Sequence, residues 1–201
     1  MRFTRQPVGP SYPVRWLDAP APVRPLLRAC RRLTIRPTQQ VLVVQVQSQR
    51  MHRFELQSLP TGEATWLRKQ TYVVSTSRIG YGQLADSLRT PLGLHQIARK
   101  LGGGLPIGTA FKNRIPTGLT WHGLPSARIA HRILWLAGLE PGFNSGADVD
   151  SFRRYIYIHG TGDETTLGRP DSCGCIHMSA NDLIPLFDNL PVGVLAWISA
   201  V

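Results

Sequence analysis

Residues 153–178 read RRYIYIHGTGDETTLGRPDSCGCIHM, and they join a strand pattern to a cluster of reactive side chains. The first eight residues alternate as in a strand, which ends at His159 and Gly160. A polar loop follows, and the segment DSCGCIHM comes directly after it. We expect the histidine at the strand end to lie beside a thiol of the second segment.

Cys175 is the candidate nucleophile of this cluster. Only a thiolate attacks a carbonyl, so a reactive cysteine needs a base or a positive field that lowers its pKa. His159 can act as that base, because the sixteen-residue step to Cys175 is long enough to fold back. Gly174 has no side chain, so backbone N–H groups can approach a substrate carbonyl as an oxyanion hole requires. The pattern indicates nucleophilic thiol chemistry.

Most of the remaining chain has the alternation and the β-branched residues typical of strands. We expect an antiparallel meander at residues 41–49, 51–58 and 71–77 and a terminal strand at residues 192–201. The apolar residues of 128–136 fit neither the strand period nor the helix period cleanly, so this segment could form a strand or a short helix, and we expect a strand. Ser179 predicts the N-cap of a helix over residues 179–190, in which Pro185 should cause a kink or a break. A chain of 201 residues can bury one sizeable core, so we expect one domain with a tail.

Positive charge is concentrated at the N-terminus. The chain has 23 basic and 12 acidic residues, and residues 1–36 hold eight arginines against a single acid. A basic, proline-rich segment is typical of a solvated arm, and no aromatic residues alternate with its arginines as on a nucleic-acid-binding surface. We therefore expect a flexible leader over residues 1–37, a catalytic domain over residues 38–201, and no nucleic-acid partner.

The three cysteines indicate reduced thiols. Cys173 and Cys175 are too close in sequence for an ordinary structural disulfide, and Cys30 leaves an odd count. A zinc-binding interaction module is the alternative, with His159, Cys173, Cys175 and His177 as four ligands. The Cys-x-Cys-x-His spacing is tighter than that of common zinc sites, so we expect neither metal nor cofactor.

Residues 159–178 resemble the signature of the L,D-transpeptidase catalytic domain (YkuD-like) family, in which a strand-end His-Gly is followed by Ser-x-Gly-Cys. Residues 73–97 (VVSTSRIGYGQLADSLRTPLGLHQI) are similar to the Val-Ser-Thr segment and Thr-Pro-x-Gly turn of the same family. The resemblance covers roughly residues 40–199. It implies a mainly β fold, a β-sandwich with one or two short helices.

The resemblance also implies roles for individual residues. Cys175 would be the nucleophile and His159 the general base, while Ser172 and Gly174 would help to position and polarise the scissile carbonyl. The thiolate would attack the bond between the third residue of a peptidoglycan stem peptide and its fourth, a D-amino acid. A thioester would form, which another stem's amine resolves in transpeptidation and water resolves in carboxypeptidation.

Two positions depart from the family pattern. Cys173 stands where family members usually have histidine, and His177 stands where they usually have arginine. His177 and Gly160 are expected on the substrate side of the site. Because a histidine is only partly charged at neutral pH, the exchange at 177 removes a fixed positive charge and should alter substrate preference or the pH profile.

The choice of acceptor is linked to location. No secretory signal and no apolar stretch long enough to span a bilayer is visible in the sequence. We expect a cytoplasmic monomer, for which trimming the terminal D-alanine from recycled tetrapeptides is the alternative to cell wall cross-linking. A true start upstream would instead place the enzyme in the periplasm or cell envelope and favour cross-linking.

Overall fold

The computed structural model describes residues 19–60 and 63–201. Within them lie two α-helices, α1 (Arg24–Arg32) and α2 (Ala180–Asn189). The strands, β1 to β10 in chain order, are Gln40–Gln45, Arg50–Ser58, Ala64–Ser75, Gly93–Leu101, Thr109–Lys112, Ile115–Leu119, Ala130–Gly138, Tyr157–Gly160, Ile176–Met178 and Leu195–Ser199. The prediction of a mainly β fold with short helices is confirmed.

All ten strands belong to one sheet, in the order β4-β10-β1-β2-β3-β9-β8-β7-β5-β6. Strand β4 pairs with β10 on one side and with β7 on the other, so the sheet closes on itself. The arrangement is barrel-like, whereas we had expected the two layers of a sandwich. Strands β5 and β6 form a hairpin that projects from β7 through the pairing of Ala110 with Ala130.

Strand β1 is buried on both faces, which explains its uninterrupted apolar run. Leu42 and Val44 pack in the larger core with the buried side chains of α2. Val41 and Val43 point the other way and pack beneath α1. A strand covered on both sides is expected to lose the alternation of polar and apolar residues.

The helix α1 corrects the expectation of a solvated leader up to residue 37. Its residues Leu26, Leu27 and Cys30 are buried, and Val23 before it is buried as well. These apolar residues follow the spacing i, i+3, i+4, i+7 and so form one face of a helix. That face packs on β1, β2, β3, β4 and β10. Residues 1–18 of the predicted leader lie outside the described residues.

The helix α2 begins where the sequence predicts. The side-chain oxygen of Ser179 accepts a hydrogen bond from the Asp182 N–H, as an N-cap should. The helix continues through Pro185 to Asn189, so the proline does not break it. None of the helices among the described residues is long and apolar enough to cross a membrane.

The two strands that carry the reactive cluster lie side by side within the barrel. Strand β8 pairs with β9 in parallel, with Ile158 opposite Ile176 and His159 opposite His177. On its other side β9 pairs with β3, which places His177 opposite Ser75. Strand β8 begins only at Tyr157, later than the alternation from residue 153 predicts, because residues 151–155 form a turn. The parallel pairing folds the loop between the two segments back on itself.

Candidate active site

The strand register brings the predicted reactive groups together. Cys175 precedes β9 immediately, and alternation places its side chain on the same face as that of His177. The ring centroids of His159 and His177 are 4.8 Å apart. His159, Cys173, Cys175 and His177 all line one cavity, so the structure gathers the cluster that the sequence predicts.

His159 is buried, with only 2% of its surface exposed. Its Nδ1 lies 2.8 Å from the carbonyl oxygen of Gly160, and the N–H at Nδ1 donates to that oxygen. The other ring nitrogen, Nε2, therefore carries the lone pair that a base needs. Burial, and secondarily the neighbouring His177, lowers the pKa of His159 to about 3. The imidazole is neutral in the resting protein.

Cys175 is also in its neutral form at rest. Burial raises the pKa of its thiol to about 12, while a backbone hydrogen bond from Tyr157 and the positive charge of Arg154 oppose that rise. The thiol donates to the carbonyl oxygen of Tyr155, with Sγ 3.5 Å from that oxygen. Since the acid is weak and the base is weakly basic, the resting site holds a thiol and an imidazole instead of an ion pair.

Ser172 shapes the turn that presents the nucleophile. Its hydroxyl donates to the carbonyl oxygen of Cys175 at 2.6 Å and accepts from the N–H of Gly174 at 3.2 Å. The Gly174 N–H is therefore used within the turn, and the structure assigns Ser172 a role in holding backbone geometry. Gly174 has a φ of +117°, and an added Cβ would lie 3.2 Å from the carbonyl oxygen of Arg89. The position favours glycine for both reasons.

Gly160 supports the candidate base His159 through its backbone and its close packing against β7. A Cβ at this position would lie 2.3 Å from the ring of His131, so only glycine lets β8 approach β7 this closely. Its carbonyl oxygen is the one that orients His159. Neither Gly160 nor Gly174 is among the residues that line the cavity. The expected contact of these two glycines with substrate stays a prediction.

His177 lines the cavity and is only partly buried. Its Nδ1 atom is buried and has no hydrogen-bond partner among the described residues. Burial lowers the pKa of His177, while the carboxylate of Asp171 acts in the opposite direction. The side chain that replaces the usual arginine is therefore uncharged near neutral pH.

The cavity has a volume of about 370 Å³. Its lining residues, besides the reactive cluster, are Arg78, Ser126, Arg128, Ile129, Thr161, Asp163, Thr166, Asp171 and Ser172. Arg78 and Arg128 are exposed, and their guanidinium groups form no ion pair with another described residue. Sequence reasoning missed both arginines; Arg78 lies two residues after the Val-Ser-Thr segment at 74–76, and this proximity was the available signal.

The β5–β6 hairpin covers the aromatic side of the nucleophile. Arg114, in the turn of this hairpin, has its guanidinium carbon 4.6 Å from the ring centroid of Tyr155. It also lies 5.4 Å from the ring centroid of Trp135, against which Tyr157 packs edge-on. Trp135 and Tyr157 belong to the apolar cluster against which the partly buried Cys175 packs.

The zinc alternative finds no matching geometry in residues 19–60 and 63–201, where no group of three or more histidine, cysteine or acidic side chains is arranged to hold a metal ion. Three other histidines have ordinary hydrogen-bond partners. His52 meets Thr71 and Gln45, His95 meets Ser151 and Gly93, and His131 meets Gly108 and Thr161. They are structural residues.

The fold and the site together define a β-barrel domain with a cysteine and a histidine that open onto one cavity. The family model of the L,D-transpeptidase catalytic domain (YkuD) matches residues 39–198. The chain belongs to this family.

Solved structures share the architecture at low sequence identity. The structure of Bdellovibrio bacteriovorus Bd1075 has a TM-score of 0.52 and 15% identity, over 81% of this chain and 48% of that chain. An L,D-transpeptidase from Mycobacterium smegmatis has a TM-score of 0.47 and 13% identity, over 81% of this chain and 59% of that chain. The helical cell shape determining protein Pgp2 from Campylobacter jejuni has a TM-score of 0.46 and 15% identity, over 81% of this chain and 47% of that chain.

The chain thus spans about half the length of the solved proteins it resembles. No curated protein matches it in sequence.

Proposed function

We propose that this chain is a cysteine acyl-transfer enzyme that acts on peptidoglycan stem peptides through a thioester on Cys175. The observation that carries the proposal is the shared cavity of Cys175 and His159, in which the only lone pair of the imidazole is at Nε2. Family membership supports the substrate class.

In the first step the Cys175 sulfur attacks the carbonyl carbon of the third stem residue, and its proton passes to Nε2 of His159. The C–N bond to the fourth residue then breaks, and the imidazolium returns the proton to the leaving amine. In the second step an acceptor amine, or water, attacks the thioester carbonyl and gives its proton to His159; the C–S bond breaks, and the imidazolium returns the proton to the sulfur, which restores the thiol. No cofactor takes part in this scheme.

The charges around the cavity suit such a substrate. Two guanidinium groups, on Arg78 and Arg128, and two carboxylates, on Asp163 and Asp171, line the same space. A stem peptide carries both a free carboxylate and a free amine, so groups of both signs can orient it. Guanidinium groups in particular form paired hydrogen bonds to a carboxylate.

The test is to incubate the protein with a disaccharide tetrapeptide and to identify the products by mass spectrometry. A cross-linked dimer supports amine transfer, whereas the loss of one D-alanine without dimer indicates that water resolves the thioester. An adduct on Cys175 that lacks the terminal residue would identify the intermediate directly. The Cys175→Ala variant should be inactive, and the matched Cys30→Ala variant should keep full turnover. Turnover by Cys175→Ala would refute the proposal.

A further inference from the structure

Arg154 lies three residues before β8 begins at Tyr157. Its guanidinium group is half-buried and donates to three backbone carbonyl oxygens of one loop. Nη1 lies 2.7 Å from the oxygen of Gln83 and 3.3 Å from that of Gly82, and Nη2 lies 2.7 Å from that of Arg89. A planar group with donors on two nitrogens bridges both ends of this loop at once, which an ammonium group cannot do.

The loop that Arg154 holds, residues 82–89, packs against the turn at Gly174 that precedes Cys175. A Cβ on Gly174 would lie 3.2 Å from the carbonyl oxygen of Arg89 and 3.6 Å from that of Leu88. The Ser77 hydroxyl donates to the Leu88 oxygen at 2.6 Å, which fixes the same backbone from the other side. The position of the turn before Cys175 therefore depends on where these two carbonyl groups are held.

The charge of Arg154 is not neutralised by its hydrogen-bond partners, because carbonyl oxygens carry only partial charge. Within the described part of the chain it forms no ion pair. The groups that interact with it electrostatically are Cys175 and Asp86. A thiolate at Cys175 would therefore face a permanent cation.

Arg154 is the cation whose charge acts directly on the Cys175 thiol, while the exposed guanidinium groups of Arg78 and Arg128 line the same cavity. The titratable groups that face Cys175 are Cys173 and His177 from its own segment, Tyr157 and His159 from β8, and Arg154 from the preceding turn. Histidines 159 and 177 are neutral because burial lowers the pKa of each. Arginine stays protonated at any working pH.

We propose that Arg154 is a positioning residue for the reaction of Cys175: it clamps the loop behind Gly174 and supplies the fixed positive charge that this chain lacks at position 177, where the family motif has arginine. The inference rests on the proposed role of Cys175 as nucleophile.

The experiment separates charge from geometry with two substitutions in a Cys173→Ser background, so that only one cavity thiol reacts. Arg154→Gln removes the charge and most of the clamp, and Arg154→Lys keeps the charge without the clamp. Arg153→Gln is the matched control, since the neighbouring arginine is exposed. Alkylation of Cys175 by iodoacetamide is followed against pH, and kcat and KM are measured separately with the tetrapeptide.

We expect Arg154→Gln to raise the apparent pKa of alkylation and to slow it about tenfold at neutral pH, which corresponds to about one pKa unit. Arg154→Lys should keep the wild-type alkylation profile but lose kcat, with KM nearly unchanged. If the pH profile of alkylation in Arg154→Gln coincides with that in Arg153→Gln, the proposed electrostatic role of Arg154 is wrong. If Arg154→Gln does not fold, an Arg154→Lys variant with wild-type kcat shows that the proposed positioning of the loop by Arg154 is wrong.

Alkylation needs no peptide substrate, so the two proposals fail in different ways. A wild-type protein that shows the Arg154-dependent profile but never turns over tetrapeptide contradicts the proposed function alone. Turnover that requires Cys175 but is indifferent to both Arg154 variants contradicts this inference alone.

Discussion

Two thiols in this molecule share a pKa but differ in exposure and surroundings, since Cys30 is buried and Cys175 is only partly so. Burial raises the pKa of Cys30 and of Cys175 alike to about 12. Cys30 lies with no exposed surface in the apolar layer beneath α1. Cys175 borders a cavity, with His159 opening onto the same space and Arg154 within electrostatic range. Because the two pKa values agree, the proposed reactivity of Cys175 depends on its opening to the cavity, on His159 as base and on the charge of Arg154, and not on the resting pKa.

The surroundings of the two thiols follow the same division. The layer around Cys30 contains almost only aliphatic and aromatic side chains, which stabilise the fold by leaving water. Around Cys175 the protein instead places the buried His159 and the partly buried His177, whose buried Nδ1 has no hydrogen-bond partner among the described residues. Burying an unpaired polar group lowers stability, so this region keeps the arrangement of its cavity side chains at a cost in the free energy of unfolding.

Removing the base should break the comparison most strongly. His159→Gln leaves Cys175 buried without a proton acceptor, much as Cys30 is, so kcat should fall by about 10²- to 10⁴-fold. Steady-state rates with the tetrapeptide measure this loss. The exposed His122→Gln variant should match the wild type. A His159→Gln enzyme within a few-fold of wild-type kcat would mean that another group accepts the proton.

Native-state alkylation should sharpen the contrast between the thiols. Iodoacetamide reaches Cys175 through the cavity but reaches Cys30 only when α1 leaves the sheet, and such openings are rare. We expect Cys30 to react more than about a hundredfold more slowly at neutral pH, and both to react alike in denaturant. Peptide mapping by mass spectrometry gives both rates in one sample. Equal native rates would show that the α1 layer opens freely.

The sequence predicted several strands and the reactive cluster because both depend on local patterns. Strand-like residue patterns identified β1, β2, β10 and the end of β3, and the spacing of His159 and Cys175 together with the family resemblance identified the site. The helix α1 was missed although Val23, Leu26, Leu27 and Cys30 have helical spacing, because the arginines between them dominated the interpretation of residues 1–37. The burial of these four residues depends on a sheet surface that only the folded barrel provides.

Contacts between distant segments could not be predicted in the same way. Arg154 bonds to carbonyl groups 65 to 72 residues earlier in the chain. Arg78 and Arg128 meet at the cavity only because closure of the barrel brings their segments to the same side. Each of these arginines looks like a surface residue in sequence, and partners at such separations follow from topology, which no local periodicity encodes.

Truncation in the α1 layer should affect stability and leave the chemistry intact. Leu27 is 1% exposed, so Leu27→Ala should lower the free energy of unfolding by about 2–5 kcal/mol through lost burial and a new cavity. Denaturant unfolding measures the change, and kcat should stay at the wild-type value. Arg28→Ala, on the exposed side of the same helix, is the control and should change stability by less than about 0.5 kcal/mol. A large loss of kcat in Leu27→Ala would couple α1 to the site.

The smallest expected effect distinguishes the two regions by pH. Burial lowers the pKa of His95 to about 4 and that of His159 to about 3, whereas both titrate near 6.5 when unfolded. The unfolded chain therefore binds more protons, so the stability from these neutral histidines is complete above pH 6.5 and is lost as the pH falls towards 4.

Each histidine adds about one proton taken up on unfolding in that range, or about 1.4 kcal/mol per pH unit. We measure the free energy of unfolding by urea titration at each pH from 7 to 4.5. The slope of this free energy against pH should be smaller by about one proton in His95→Gln and by about one proton in His159→Gln. Leu27→Ala lies in the apolar layer and should shift the whole curve downward without changing its slope. An unchanged slope in both histidine variants would mean that neither imidazole is held neutral by burial, and the resting thiol–imidazole pair at Cys175 would have to be abandoned with it.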